Sequence, residues 1–234
     1  MPSFLIDLPA IAVAVVLAST PAPCPPAAPQ VDVQVRIEHQ EMPVVTGKTS
    51  RELTGEFLLN SDATTSTDGH WMIGGLNHAD IGGNYSVQYE QRIHEQAGTA
   101  CIAPQKVEFE IVYTSTIYMA KDFKPASCSY IATMAHQKRH VATDLRVLEK
   151  HIPNIRAALV QAAGNIGMRG PFTGDQLPTA REKIAEDIAV AADSAMQAMR
   201  EERRKRQAEI DTYDNYTRDT AACPGQFPPY GDKN

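Results

Sequence analysis

Residues 129–152 hold the feature that most constrains this chain, a predicted helix with one apolar arc and one histidine-bearing arc. At about 100° per residue, five apolar side chains fall within a narrow arc that would face a core. They are Met134, Val141, Leu145, Leu148 and Ile152. The roughly opposite arc carries His136, His140, Asp144, Val147 and His151. Histidines and an aspartate grouped away from the apolar stripe are unusual in a helix, so this arc is the first candidate for a functional site.

His136 and His140 are four positions apart and therefore lie one helical turn from each other. Two imidazoles at this spacing can hold one metal ion between them. The H-E-x-x-H helix of zinc peptidases has the same spacing, and its Glu is the general base that activates the attacking water. Here that position is Gln137, whose carboxamide has no useful basicity near neutral pH. The sequence therefore predicts a metal site on His136 and His140 in which Gln137 weakens the usual catalytic position.

A catalytic zinc needs about three protein ligands, so a further donor must be found. Asp144 rises about 6 Å beyond His140 along the helix, which makes it awkward as a ligand alongside His136. We expect Asp144 instead to accept the other N–H of His140. The remaining candidates, with a slight preference for a residue downstream of the helix, are His151, Glu149, Glu182, Glu186, His78 and His94. The alternative is that the histidines form only ordinary hydrogen bonds.

The composition is that of an ordinary soluble protein. The chain has 234 residues and a net charge of −6, with 43% hydrophobic and 21% charged residues. This length suits one full-sized domain, or a domain plus an appendage. Nothing in the charge balance suggests a nucleic-acid partner, which would favour a basic face. We expect no nucleic-acid partner.

Residues 1–30 resemble a secretory leader followed by a Pro/Ala-rich linker. The apolar run 4–18 is too short for a spanning helix and is interrupted by Asp7 and Pro9. Residues 16–18, VLA, form a plausible cleavage site, although no Lys or Arg precedes the run. We therefore predict a secreted or periplasmic protein with no stable membrane span.

The cysteines agree with export, because an even number in an oxidising compartment suggests disulfide bridges. They are Cys24, Cys101, Cys128 and Cys223. The sequence does not choose among the three pairings. Our working prediction is a bridge between Cys101 and Cys128, which would tie the strand region to the start of the histidine helix. Cys24 and Cys223 would then join the termini.

The remaining periodicity predicts an α+β fold. Alternating or β-branched stretches predict strands at 31–37, 71–73, 85–89 and 107–120. A glycine-rich connection is expected between the second and third of these strands. A capping box of Thr49 and Glu52 predicts a helix through residue 59. Pro153 is expected to break or kink the histidine helix, and helices follow at 154–163 and 179–210 around a loop at 164–178. The predicted domain, 31–223, has a small mixed or antiparallel sheet packed on the histidine helix, a long C-terminal helix and an irregular tail at 224–234.

Several segments resemble a bacterial family described as predicted secreted zinc-dependent proteases. They are the strand 107–120, the turn with Cys128, HQKRHVATD, the short ELTGEF helix and the ending AEIDTYDNYTRDTAAC. The resemblance covers roughly residues 31–223. It implies export, a single zincin-like domain and a zinc ion on His136 and His140. In such a fold, the edge of the strand before the helix could hold a peptide by β-addition.

Two function classes follow from these observations. In the first, the protein is an envelope member of the zincin-like metallopeptidase family that binds zinc and acts on peptides or proteins. In the second, it is a non-catalytic binding or structural module, with or without the metal. Loss of a general base costs about 10²–10⁴ in rate, so Gln137 favours the second class.

Overall fold

The structure, a computed structural model, describes residues 23–26, 30–60 and 73–227. Its strands are β1 (Asp32–His39), β2 (Val44–Thr46), β3 (Gly75–His94), β4 (Thr99–Met119) and β5 (Arg169–Thr173). Its helices are α1 (Ser50–Asn60), α2 (Cys128–Ile166), α3 (Leu177–Ala208) and α4 (Tyr213–Ala221), and a short 3-10 turn spans Glu95–Ala97. The predicted α+β class with a mixed sheet is confirmed. The predicted cleavage site at 16–18 lies outside the described residues.

Strand β4 is the centre of the five-stranded sheet. Strand β3 pairs with it in antiparallel orientation along its length, which occupies one edge. The other edge pairs in succession with β5, β1 and β2, of which β1 and β2 run parallel to β4. Because both edges of β4 are paired, the expected addition of a peptide to the strand before the histidine helix is wrong for that strand.

Helix α2 is the middle layer of the molecule, between the sheet and α3. Alternate residues of β4, among them Val107, Phe109 and Ile111, are buried with Leu148 of α2. The histidine arc of α2 is also buried, because α3 and the chain after it cover that side. The arc predicted to face away from the core is therefore a second packing surface.

Two local predictions are wrong for reasons of packing. Helix α2 continues through Pro153, so the predicted break and the separate helix at 154–163 do not occur. A proline inside a helix costs about 3 kcal/mol, and burial of Ile155 and Leu159 beyond it offsets this cost. The glycine-rich stretch predicted as a connection belongs to β3, where β4 satisfies its backbone groups.

Other predicted elements are present. Thr49 and Glu52 form the predicted capping box at α1, with the Thr49 N–H donating to Glu52 and the Glu52 N–H donating to the Thr49 hydroxyl. The long helix predicted at 179–210 corresponds to α3. The loop predicted at 164–178 contains β5.

Two disulfides are present, but their pairing differs from the working prediction. Cys24 is bonded to Cys101, and Cys128 is bonded to Cys223. The predicted Cys101–Cys128 bridge is therefore wrong. The turn at 120–127 alone joins β4 to α2, whereas the bridges attach the two chain ends to the sheet and to the start of α2. Among the described residues, no helix is both long and apolar enough to cross a membrane.

Candidate metal centre

Three side chains converge where α2 meets the chain that follows α3. His136 and His140 point their Nε2 atoms at each other at 3.0 Å. The Oδ1 atom of Asp211 lies 3.2 Å from the first of these nitrogens and 3.1 Å from the second. Both imidazoles are buried, and Asp211 is partly buried. These residues, His136, His140 and Asp211, form the metal group discussed below.

The turn after α3 places Asp211 in this group. The Ile210 N–H donates to the Gln207 carbonyl at 3.0 Å, which closes the turn at the end of α3. The Asn215 amide donates to the carbonyls of Glu209 and Ile210, each at 3.0 Å. Thr212 then caps α4 by accepting the Asn215 N–H. The short link between α3 and α4 therefore folds back over α2.

The far sides of both histidine rings have acceptors. The Nδ1 of His136 lies 3.1 Å from Oδ2 of Asp219, which also accepts a hydrogen bond from Arg139. The Nδ1 of His140 contacts the Oε1 of Gln207. Because the amide oxygen of Gln207 only accepts, His140 carries a proton on Nδ1. The Nδ1 of His136 lies between Asp219, which accepts, and the guanidinium of Arg139 at 3.0 Å, which donates. The Nε2 lone pair of His140 is then directed at the metal group, as in metal sites whose histidine donates its other N–H to an acceptor behind it.

Two imidazole nitrogens and a carboxylate oxygen that face one another are held together by a proton on an Nε2 or by a metal ion between them. Ligands of a tetrahedral zinc at about 2.0–2.1 Å are about 3.3 Å apart. The separations of 3.0–3.2 Å within the metal group are close to that spacing. Two imidazoles and a carboxylate are also a donor set that zinc accepts. This group could therefore hold a metal ion.

The electrostatics of the metal group favour a positive charge beside Asp211, which a proton on His140 or a bound metal ion can supply. Burial alone would raise the pKa of Asp211, but hydrogen bonds from His136 and His140 outweigh burial and hold that pKa below its ordinary range. Burial also disfavours protonated His140, yet the hydrogen bond and charge of Asp211 raise the pKa of this imidazole. The carboxylate therefore stays ionised and favours a cation beside it.

Tyr216 of α4 covers the metal group. Its ring stacks on that of His136 with centroids 5.0 Å apart, and its hydroxyl donates to Oδ1 of Asp211 at 3.0 Å. Burial, followed by the charge of Asp211, raises the pKa of Tyr216 well above its ordinary value. The bridge from Cys128 to Cys223 attaches the end of this covering segment to the start of α2.

Gln137 faces the sheet rather than the three metal-group donors. Its Nε2 donates to the carbonyl of Gly75 at 3.0 Å. A Cβ added at Gly75 would lie 2.8 Å from Thr133 of α2, so the absence of a side chain allows this close approach. Gln137 and His136 also line a cavity of about 30 Å³, which is about the volume of one water.

Asp144 is linked to His140 through one intervening side chain, that of Gln207. Its carboxylate is fully buried and accepts two hydrogen bonds from Arg203, at 2.7 and 3.0 Å. It also accepts from Gln207, which itself contacts His140. Tyr113 of β4 donates to the same carboxylate at 3.3 Å. Asp144 thus reaches His140 through Gln207, not through the direct bond expected from the sequence.

The structure places the other candidate ligands away from the metal group. His151 contacts Glu202 of α3 at 2.9 Å. Glu149, Glu182 and Glu186 are exposed. His78 pairs with Asp80 on β3, and the Nε2 of His94 lies 3.6 Å from the sulfur of Cys101. The third donor, Asp211, is downstream of α2 but was not among the named candidates.

No known protein provides a reference for this geometry. No family model, curated protein or solved structure matches this chain. The metal group is therefore assigned from its contacts alone. Sequence reasoning missed Gln207, Asp211, Tyr216 and Asp219, all of which lie at or beyond the end of α3. The available signal was the ending AEIDTYDNYTRDTAAC, which places acidic and aromatic residues directly after a long helix.

Proposed function

We propose that this protein is a secreted or periplasmic zinc-binding protein with a zincin-like domain that does not work as a peptidase. His136, His140 and Asp211 hold the zinc, and Gln207 and Asp219 orient the two imidazoles. The observation that carries the proposal is the approach of three potential ligand atoms, two imidazole nitrogens and a carboxylate oxygen, to within 3.0–3.2 Å of one another. The resemblance to predicted secreted zinc-dependent proteases is the reason for proposing zinc and the zincin-like fold.

Two observations support a non-catalytic role. Gln137 lacks basicity, and it is already engaged with the Gly75 carbonyl. A catalytic zinc keeps a position open to water and substrate; the space beside His136 measures about 30 Å³, which admits water but is small for a peptide. A peptide does not fit there while Tyr216 covers the metal group. A buried site of this kind supports the fold around α4 rather than turnover of a substrate.

The disulfides support the proposed location. Bridges form and persist in oxidising compartments and are rare in the cytosol. Two of them are present, at Cys24–Cys101 and Cys128–Cys223. Together with the leader-like residues 1–30, they are the basis for proposing export.

Elemental analysis and zinc titration of matched variants test the proposal. The wild type should bind one zinc per chain, and His140→Gln should lose it. His151→Gln is the control, because His151 is a buried histidine on the same helix whose partner is Glu202. This control should retain the full equivalent. The proposal is wrong if the wild type binds no zinc, or if the two variants bind it equally well.

A further inference from the structure

A groove partly lined by Arg139, whose guanidinium also contacts His136, is rich in cations. It lies where α2 faces the end of α3 and α4, and its volume is about 530 Å³. Its cationic lining residues are Arg139, Arg146, Lys150, Arg206 and Arg218. We call this the basic groove. It contrasts with the whole chain, whose net charge is −6.

Three of these cations are neutralised by carboxylates. Arg139 is paired with Asp219. Lys150 contacts both oxygens of Glu202 at 2.7 Å. Arg206 contacts Glu209 at 3.1 Å. These cations therefore need no further anion.

Arg146 and Arg218 contact only neutral groups among the described residues. Arg146 donates to the Ala142 carbonyl at 3.2 Å and to the Thr143 hydroxyl at 3.0 Å. Arg218 donates to Oδ1 of Asn215 at 2.7 Å. Neutral acceptors orient a guanidinium without cancelling its charge. Glu202 and Glu209 also line the basic groove, but neither contacts Arg146 or Arg218. The groove thus carries two exposed arginine charges that hydrogen bonds orient and no carboxylate of the described residues contacts.

We propose that the basic groove binds a small dianion through Arg146 and Arg218. Guanidinium groups pair with the two oxygens of a phosphate or a carboxylate with a geometry that ammonium groups do not offer. The groove volume is within the range of about 300–1,000 Å³ found for small-ligand pockets. The ligand class is a phosphate monoester or a dicarboxylate. The proposal does not rest on zinc binding.

Isothermal titration at low ionic strength with inorganic phosphate and with succinate tests this inference. We expect saturable binding of one dianion per chain for at least one of the two probes. Binding of phosphate alone identifies a phosphate ligand, and binding of succinate alone identifies a dicarboxylate. The affinity should fall about 10-fold in Arg146→Gln and in Arg218→Gln, equivalent to about 1.4 kcal/mol for each variant.

Two further variants keep the result interpretable. Arg204→Gln removes an exposed arginine of α3 that does not line the basic groove, and it should leave the affinity unchanged. Arg146→Lys keeps the charge but loses the bidentate contact that a guanidinium can make. Its affinity for the dianion should therefore lie between that of the wild type and that of Arg146→Gln. Thermal melts confirm that each variant is folded. The inference is overturned if neither probe binds saturably, or if Arg204→Gln weakens binding as much as Arg146→Gln.

Discussion

Helix α2 carries two buried histidine environments, and they differ in what faces the ring. At one end, His136 and His140 share the Oδ1 atom of Asp211. About three turns further along, His151 faces Glu202, which also binds Lys150. The first environment gathers three acceptors around one point, whereas the second pairs a carboxylate with an ammonium group. The difference teaches that burial and helical spacing do not make a metal site. The groups opposite the ring decide it.

Replacing the carboxylate of each histidine environment should give the largest difference in zinc affinity. Asp211→Asn removes one of three donors and should lower the zinc affinity by well over about 100-fold, more than loss of an outer hydrogen-bond partner costs. Glu202→Gln should leave the affinity unchanged. The measurement is the rise in melting temperature on adding zinc, since a ligand at 100 times its Kd stabilises a protein by about 2.7 kcal/mol. Equal responses in both variants would contradict the assignment of Asp211.

The two disulfides should also differ in their effect on zinc binding at the metal group. Cys128–Cys223 holds the segment that carries Asp211, Tyr216 and Asp219, and α4 contributes no buried residue of its own. A double Cys→Ser variant of this pair should bind zinc about 10–100-fold more weakly, because the segment must then be ordered at the expense of binding energy. The same change at Cys24–Cys101 should leave zinc affinity near that of the wild type. A larger loss from the Cys24–Cys101 variant would be against this account.

Outer partners should have a smaller effect. Gln207→Leu removes the acceptor for the Nδ1 proton of His140, and loss of such a partner costs about 10–100-fold in metal affinity. Gln197→Leu, an exposed glutamine of the same helix that contacts Glu201, is the matched control. Competition with a zinc-binding dye measures both. If the two variants behave alike, Gln207 does not orient the ligand.

The smallest effect concerns the second environment alone. Hydrogen bonds from Lys150 and then His151 lower the pKa of Glu202 from 4.5 to about 2. A lowered folded-state pKa stabilises the fold above the unfolded value, and this contribution is lost as the pH falls towards about 2. The melting temperatures of the wild type and Glu202→Gln should therefore differ most above pH 5 and converge at lower pH. A difference that grows on acidification would contradict the pairing.

Local sequence patterns predicted the two histidines of the metal group but not Asp211. His136 and His140 are separated by a fixed helical spacing, so their proximity followed from the sequence alone. Asp211 comes close only because α3 ends at Ala208 and the next turn folds back on α2. That turn depends on how α3 packs, which no periodicity records. The same reason explains why the third donor was sought on α2, α3 and β3 and not in the turn after α3.

The fold likewise contains some elements that local sequence patterns predict and others that tertiary contacts decide. The capping box at Thr49 and the alternation of β4 are local signals, and both elements are present. Pro153 and the glycines of β3 are also strong local signals, yet tertiary contacts override them. Disulfide pairing depends on which chain ends meet, so spacing could not choose Cys24–Cys101 over the alternatives.

Zinc K-edge X-ray absorption of the zinc-loaded protein tests the central claim most directly. The account predicts two imidazole nitrogens and at least one carboxylate oxygen at about 2.0–2.1 Å from the zinc. The imidazole scattering should disappear in a His136→Gln, His140→Gln double variant and persist in His151→Gln. A wild-type spectrum with only water and carboxylate oxygens around the zinc, and no imidazole scattering, would contradict the account.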